Sequence, residues 1–299
     1  MGIGIGARMT SLEEPLTLRR PAAGASARVL ADEAARRRSA LRAQRRFLLT
    51  ARLGVLVFIV LGWELASGRL IRTFFISTPT AVAGQLVEWI ASGELLYHGQ
   101  FTLTATVLGF LVGSVAAILL AWPLGLMPRL YRITEPYFLV AYSIPAVAMG
   151  PVFILWFGLG LEPKVLLAAY FVFFIVFVNA VTGFQRVPRG FLEVIRVMGA
   201  SRTELLRAVI LPSAVPYILA ALRITLPAAM IGAVVGEFIS SNRGLGYLAQ
   251  ASASEYATEG VLAAVLVMGL IVLAMTLLLR PLSGVLRWQR EIEVRGGVV

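Results

Sequence analysis

Six long apolar runs divide the chain, and each is long enough to cross a lipid bilayer as an α-helix. A spanning helix needs about 20 mostly apolar residues. The predicted spans are Phe47–Ala66, Phe101–Met127, Ile133–Phe157, Val165–Phe184, Ala214–Phe238 and Gly260–Leu279. The pattern predicts an all-α integral membrane protein with six transmembrane helices.

The third run contains residues that disrupt a helix. These are Pro136, Pro145, Gly150 and Pro151. Freed backbone groups are tolerated at membrane depth only where neighbouring helices or a cavity satisfy them. We therefore expect this helix to be kinked or split and to lie inside the helix bundle.

Arginine is unevenly distributed over the segments between the runs. Arginine-rich segments precede the first run and follow the second, the fourth and the sixth, whereas the other segments hold few basic residues. Because cytoplasmic loops carry an excess of Lys and Arg, we expect both termini and the segment after the fourth run to be cytoplasmic. The net charge of +11 follows from this topology and does not indicate binding of nucleic acid.

The composition limits the chemistry that the chain can perform. Hydrophobic residues make up 59% of it and charged residues 14%, whereas a soluble domain carries roughly 25% charged residues. There is no cysteine and a single histidine, His98, which excludes disulfides, thiolate metal sites and sites built from several histidines. The sequence contains no nucleotide-binding signature and no clustered catalytic set. We predict no catalytic site, no metal site and no cofactor.

Three regions follow from these patterns. Residues 1–46 form a basic cytoplasmic N-terminal extension, residues 47–284 the six-helix transmembrane domain, and residues 285–299 a cytoplasmic C-terminal tail. Within the extension, Ser26–Arg46 has acidic and basic residues at the i,i+4 spacing of a helix. This basic helix either lies on the inner membrane surface or is a solvated flank of the first span.

A polar, arginine-rich stretch from Glu193 to Pro212 separates the fourth and fifth runs, with the sequence EVIRVMGASRTELLRAVILP. We predict a short helix-turn-helix with its turn at Gly199 and a stop at Pro212. One apolar face has Val194, Val197 and Met198, and another has Leu205, Leu206, Val209 and Ile210. Such faces dock into apolar grooves of partner proteins, and the alternative is a loop that packs on its own bundle.

The same stretch resembles the EAA loop of bacterial ABC-importer permeases, E-A-A-x3-G-x9-I-x-L-P. It matches at Glu193, Gly199, Leu211 and Pro212, and departs from the pattern at Val194, Ile195 and Val209. The resemblance implies that the loop couples the permease to an ATPase. The implied coupling residues are Glu193, Arg196, Met198, Gly199, Ala200, Arg202, Leu205, Leu211 and Pro212.

The resemblance covers roughly half of the chain and points to the nitrate/sulfonate/taurine branch of these permeases. It rests on Ile144-Pro145-Ala146, Pro151, ILWFGLG at 154–160, Asn179, Gly183, LPSAVPYILAALRI at 211–224, Glu237 and GLGY at 244–247. The chain departs from the family at Thr102, Thr104 and Thr106, where an arginine is frequent, and at Pro227, which we expect to interrupt the fifth span.

The resemblance also implies a fold, partners and a cargo. The fold is the type I ABC importer permease fold, with six spans and a cytoplasmic coupling helix-turn-helix, in the bacterial inner membrane. The partners are a dimer of ABC ATPase subunits that binds the ATP, a periplasmic or lipid-anchored solute-binding protein, and a second copy of the chain. The cargo is a small organic or inorganic anion such as a sulfonate, taurine or nitrate; the alternative is a riboflavin- or pyrimidine-type solute.

The solute pathway is expected between two subunits. Its candidate residues are Tyr142, Ser143, Pro145, Met149, Asn179, Met230 and Glu237. Glu237 could instead hold the GLGY turn, and Asn179 could instead join helices together with Thr182. His98 is expected to cap an interface.

The role of Arg223 and the function of the whole chain each have alternative interpretations. The guanidinium of Arg223 either snorkels to the inner interface or serves the solute pathway. A secondary transporter would need intramembrane carboxylates or repeats, and only Glu64 and Glu237 lie near the membrane. A membrane enzyme would need a clustered catalytic set, which the sequence lacks.

Overall fold

The computed structural model describes residues 23–279, all of it helices and their connections. Residues 1–22 of the predicted extension and the predicted tail at 285–299 lie outside that range. The helices are α1 (Ala23–Ala66), α2 (Pro79–Ser92), α3 (Glu94–Leu126), α4 (Pro128–Ser143), α5 (Met149–Phe157), α6 (Glu162–Gln185), α7 (Arg189–Val197), α8 (Arg202–Leu205), α9 (Leu211–Ser240), α10 (Leu245–Ser254) and α11 (Thr258–Leu278). A short 3-10 turn, Ala146–Ala148, precedes α5, and a π turn, Leu206–Ile210, joins α8 to α9.

Among the described residues, five helical segments are long and apolar enough to cross a membrane. They are Arg46–Ala66, Glu94–Leu126, Glu162–Gln185, Arg202–Ser240 and Thr258–Leu278. A sixth span is possible if Pro128–Ser143 and Ala146–Phe157, which meet at a bend of 76°, are counted as one broken span. These segments coincide with the six predicted runs, and the bend is the predicted break in the third.

The chain divides into two units, residues 1–62 and residues 63–299. In the first unit, the predicted basic helix at Ser26–Arg46 and the predicted span that starts at Phe47 belong to the same helix, α1. The second unit contains the packed helices described below.

The core of the second unit is formed by α3, α6 and α9. Gly109 and Gly113 face α6 so closely that a Cβ on Gly113 would lie 2.5 Å from the carbonyl oxygen of Ala169. Small residues at membrane helix contacts let the backbones approach each other. Alanines also allow this close approach, since Ala105, Ala168 and Ala233 form a fully buried cluster between the same three helices.

The expected interruption of the fifth span at Pro227 is wrong. Helix α9 continues through both Pro216 and Pro227 to Ser240. A proline lacks one N–H donor, but neighbouring helices and local adjustments compensate for a single lost bond in a membrane helix. The helix is packed along its length on α3 and α6, which keeps it continuous.

The third span, in contrast, is broken at Ile144. Because a residue that precedes proline is pushed out of the helical region, Ile144 is extended, with φ −68° and ψ 123°. Tyr170 of α6 donates its hydroxyl to the carbonyl oxygens of Ala141 at 2.7 Å and Ile144 at 3.3 Å. A neighbouring helix therefore satisfies the backbone groups that the break frees, as expected from the membrane environment.

Two shorter helices, α2 and α10, lie beyond the predicted elements. They pack with α11 around a second apolar cluster that includes Val82, Trp89, Leu245, Leu248 and Ala263. Their lengths of 14 and 10 residues fall below the span length of about 20 residues. A search for spanning runs therefore passes over them.

Candidate functional site

The coupling segment, Glu193–Pro212, folds as the end of α7, a turn, and α8. Helix α7 ends in a Schellman motif, in which the Gly199 N–H donates to Arg196 O at 2.9 Å and the Ala200 N–H to Ile195 O at 3.3 Å. Gly199 has a φ of +92° with open space around it. A left-handed backbone favours glycine, and this explains why a glycine occupies the predicted turn at position 199.

A capping box starts the second half of the segment. Ser201 Oγ accepts from the Glu204 N–H at 3.2 Å, and a Glu204 carboxylate oxygen accepts from the Ser201 N–H at 2.7 Å. Two helix-end donors are satisfied in this reciprocal way. The sequence prediction missed Ser201, although the S-x-x-E spacing that marks a capping box is readable at 201–204.

The apolar side chains of the segment separate into exposed and buried groups. Val194, Val197 and Met198 are 58%, 88% and 81% exposed, whereas Leu205 is 3% exposed. The expectation that Leu205 contributes to an exposed docking ridge is therefore wrong. Leu205 is enclosed by the rest of the second unit and positions the segment, while the α7 face stays open.

The end of the segment also differs from the prediction. Pro212 does not stop the helix, since the chain is helical from Arg202 through the π turn to Ser240. Pro212 is accommodated because it lies in the first turn of α9, where a missing N–H is tolerated. Leu211 and Ile210 pack on the main core cluster, which joins the coupling segment directly to the spanning helix.

A cavity of about 690 Å³ lies behind the coupling segment. Three charged residues of the predicted coupling set, Glu193, Arg196 and Arg202, line it together. The turn between α3 and α4, at 125–128, and the end of α6 form its other walls. The fold thus brings the charges of both halves of the segment to one opening.

A polar cluster lies at the opposite end of α9. It consists of His98 and Thr102 of α3, Glu237 of α9, and the backbone of Gly244, Leu245 and Gly246. Thr102 Oγ1 donates to Glu237 Oε1 and accepts from the Leu245 N–H, both at 2.7 Å. The Gly246 N–H donates to Glu237 Oε2 at 2.7 Å. Both carboxylate oxygens have donors, although Glu237 is only 1% exposed.

The side chains of Glu237 and His98 thus both accept hydrogen bonds from the backbone of the GLGY turn. His98 Nδ1 accepts from the Gly244 N–H at 3.1 Å, and its ring stacks on Tyr247 with centroids 5.6 Å apart. His98 is buried, and its bond to the Gly244 N–H lies at the N-terminal end of α10. Gly244 has a φ of +113°, and a Cβ there would overlap the Glu237 carboxylate.

Lys164 is a buried cation beside this cluster. Its Nζ donates to the carbonyl oxygen of Gly160 at 2.8 Å. Lys164 and Glu237 both line a cavity of about 260 Å³, closed on another side by residues 241–243. The sequence predicted a span that starts at Val165, which leaves Lys164 in the preceding loop. In the structure α6 begins at Glu162, and Lys164 is buried in its first turn.

The predicted pathway residues differ in their exposure. Tyr142 and Ser143 are exposed at the end of α4, Pro145 follows at the break, and Met149 is half-buried at the start of α5. Met230 is buried and accepts a 3.5 Å hydrogen bond from Thr106 Oγ1. Its assignment to an open pathway wall is wrong for the chain as it folds here.

The polar residues of α6 also have local roles. Asn179 Nδ2 donates to Ile175 O at 2.7 Å, and Thr182 Oγ1 donates to Val178 O at 2.8 Å. Both acceptors lie one turn earlier on α6 itself. The sequence analysis expected Asn179 and Thr182 to join helices. Within the described chain, these bonds instead stay inside α6.

The helices, the broken span and the coupling segment define a multi-pass helical membrane protein in which the loop between α6 and α9 is folded into short helices. A family model described as binding-protein-dependent transport system inner membrane component matches residues 105–286. The chain belongs to this family and is a permease subunit of an ABC importer. The described part of the chain is all-helical with five or six candidate spans, as the sequence predicts.

Three relatives illustrate the range of the family. The chain is 35% identical to the riboflavin transport system permease protein RibX of Chloroflexus aurantiacus, over 72% of the chain and 81% of the relative. It is 31% identical to the taurine transport system permease protein TauC of Escherichia coli, over 82% and 92%. It is 29% identical to the formylaminopyrimidine transport permease protein ThiX of Halalkalibacterium halodurans, over 70% and 83%.

Proposed function

We propose that two copies of this chain form the membrane channel of an ABC importer, with two ABC ATPase subunits on the cytoplasmic side and a solute-binding protein on the other. The arginine-rich termini and coupling segment then face the cytoplasm of a bacterial inner membrane. Family membership supports this assembly. The chain itself carries no catalytic step, and the ATP is bound and hydrolysed by the ATPase.

The exposed α7 face is the observation that carries this proposal. Val194, Val197 and Met198 present apolar side chains to solvent at the end of a short amphipathic helix. An amphipathic helix fits an apolar groove on its partner, and the occupant proposed here is the ATPase. Glu193, Arg196 and Arg202 line the cavity behind this face and supply charges for the rim of the contact.

The coupling segment transmits motion because it is continuous with a spanning helix. The capping box fixes α8, and the helix then runs without a break into α9. Closure of the ATPase dimer on ATP displaces the docked segment and tilts α9 with the helices packed on it. The channel alternates between inward-open and outward-open states, and hydrolysis resets it.

A small organic or inorganic anion is the proposed cargo. The name of the taurine relative, which the chain covers over 92% of its length, supports a sulfonate. A second candidate is a heterocyclic vitamin or its precursor, because the riboflavin and formylaminopyrimidine relatives are similarly close. Melting temperatures of the cognate binding protein, measured with each of these solutes, distinguish the anion cargo from the heterocyclic cargo.

The docking proposal is tested by replacing the exposed face. We expect Val197→Asp with Met198→Asp to abolish co-purification of the ATPase while the permease stays folded, since both side chains are exposed. Leu219 is half-buried on α9, outside the coupling segment, and Leu219→Met is the control. Full retention of the ATPase by the double variant would refute the docking site.

A further inference from the structure

Arg223 carries a positively charged side chain within the spanning helix α9. Among the residues that the structure describes, neither its Nε nor its Nη2 has a hydrogen-bond partner, although protein encloses both atoms. Enclosing a charged donor without a partner costs free energy. A partner that comes from outside this chain would remove that cost.

Arg223 lies far from either end of its helix. At a rise of 1.5 Å per residue it is about 14 Å along the helix from Ala214 and about 23 Å from Phe238, the two ends of the predicted span. Arg223 therefore lies within the spanning part of α9, nearer to the coupling segment. A snorkelling arginine keeps its charged group in water. Protein encloses two of the three guanidinium nitrogens of Arg223, which favours the pathway alternative.

One backbone hydrogen bond is missing at the same turn of the continuous helix α9. Pro227 lies four residues after Arg223 and has no N–H to donate to the Arg223 carbonyl oxygen. The unpartnered guanidinium nitrogens therefore lie at a turn of α9 that has one backbone bond fewer.

We propose that Arg223 binds the acidic group of the transported solute within the membrane span. The ligand class is a small oxyanion, with sulfonate as the best fit, because a guanidinium binds two oxygens of one such group with parallel hydrogen bonds. This inference rests on the proposed function as an anion permease. Two copies of the chain supply two such arginines to one channel.

The test uses the permease–ATPase complex with its binding protein, reconstituted in liposomes. Uptake of labelled taurine, methanesulfonate and nitrate is compared for the wild type, Arg223→Gln, Arg223→Lys and the control Arg132→Gln. Arg132 is exposed on α4. We expect Arg223→Gln to slow anion uptake roughly tenfold to a hundredfold, Arg223→Lys to retain part of the rate with a raised KM, and Arg132→Gln to match the wild type.

Three results would overturn the inference, and they are distinguishable. Import at the wild-type rate by Arg223→Gln would refute the role of Arg223 and leave the proposed function intact. A wild type that imports none of the three anions would refute the anion cargo and the inference with it. If Arg223→Gln fails to co-purify with a second, differently tagged copy while Arg132→Gln succeeds, Arg223 pairs with the partner subunit and the solute-binding role is wrong.

Discussion

Thr102 and Glu237 are joined by a hydrogen bond of 2.7 Å between buried side chains that lie 135 residues apart in the chain. The same threonine oxygen accepts the Leu245 N–H, so a single hydroxyl ties α3, α9 and the start of α10 together. A charged group that is buried in a membrane protein is almost always paired or hydrogen-bonded. Thr102 supplies one of the two bonds that meet this requirement for Glu237.

Replacing Thr102 by valine, which has nearly the same shape, should expose this dependence. Glu237 Oε1 then loses a donor and the Leu245 N–H loses its acceptor, and we expect the free energy of unfolding to fall by about 1–3 kcal/mol. Unfolding in detergent micelles measures the change. Thr104→Val is the matched control, because Thr104 is exposed and bonds only to Gln100 of its own helix. Equal effects of the two substitutions would contradict the prediction.

Two glycines with positive φ should differ in their response to alanine. Gly93, at φ +81°, has open space around its Cβ position, whereas a Cβ on Gly244 would overlap the Glu237 carboxylate. We expect Gly93→Ala to cost about 1–2 kcal/mol from backbone strain alone, and Gly244→Ala to cost clearly more. Melting temperatures of the two purified variants decide this, and a smaller loss for Gly244→Ala would be inconsistent with the polar cluster.

Gly199 should be required for coupling rather than for folding. Its φ is +92° in open space, which asparagine tolerates and a β-branched residue does not. We expect Gly199→Val to reduce ATP hydrolysis stimulated by the binding protein, because the docking helix is misdirected, and Gly199→Asn to retain most of it. The melting temperature of both variants should stay close to that of the wild type. Normal stimulation in Gly199→Val would mean that the turn does not orient the docking face.

Loss of the capping hydroxyl should loosen α8 locally. Replacing an N-cap serine by alanine costs about 1 kcal/mol, so Ser201→Ala should speed amide hydrogen exchange at the N–H groups of Glu204 and its neighbours. Ser254→Ala is the control, since Ser254 bonds to the carbonyl oxygen of Gln250 and starts no helix. Unchanged exchange near Glu204 would show that the capping box does not stabilise the segment.

Tyr170 should stabilise the broken span through its hydroxyl. Tyr170→Phe removes the donor to Ala141 O and Ile144 O, and we expect a loss of about 1 kcal/mol. Tyr137→Phe provides the comparison, because Tyr137 is an exposed residue on the same span. Thermal unfolding monitored by tryptophan fluorescence measures both, and an effect as small as that of Tyr137→Phe would rule out the bridging role.

The sequence predicted the spans and the coupling segment because their signals are local. Apolar runs of spanning length, the prolines of the third run and the glycine at 199 each act within a few residues. It failed at Pro212 and Pro227 because a proline alone does not end a helix that packs on neighbours over its whole length. It also failed to predict the burial of Leu205, since an amphipathic pattern does not identify which face is covered.

The sequence by itself thus determined the class of protein and the membrane spans, and it predicted the place where a partner docks. Only the tertiary structure decided the contacts between distant residues: Thr102 with Glu237, Tyr170 with the break at Ile144, and Lys164 beside the polar cluster. The physical reason is that a buried polar group must find its partner wherever the helices bring one. Helix packing sets that position, and no spacing along the chain records it.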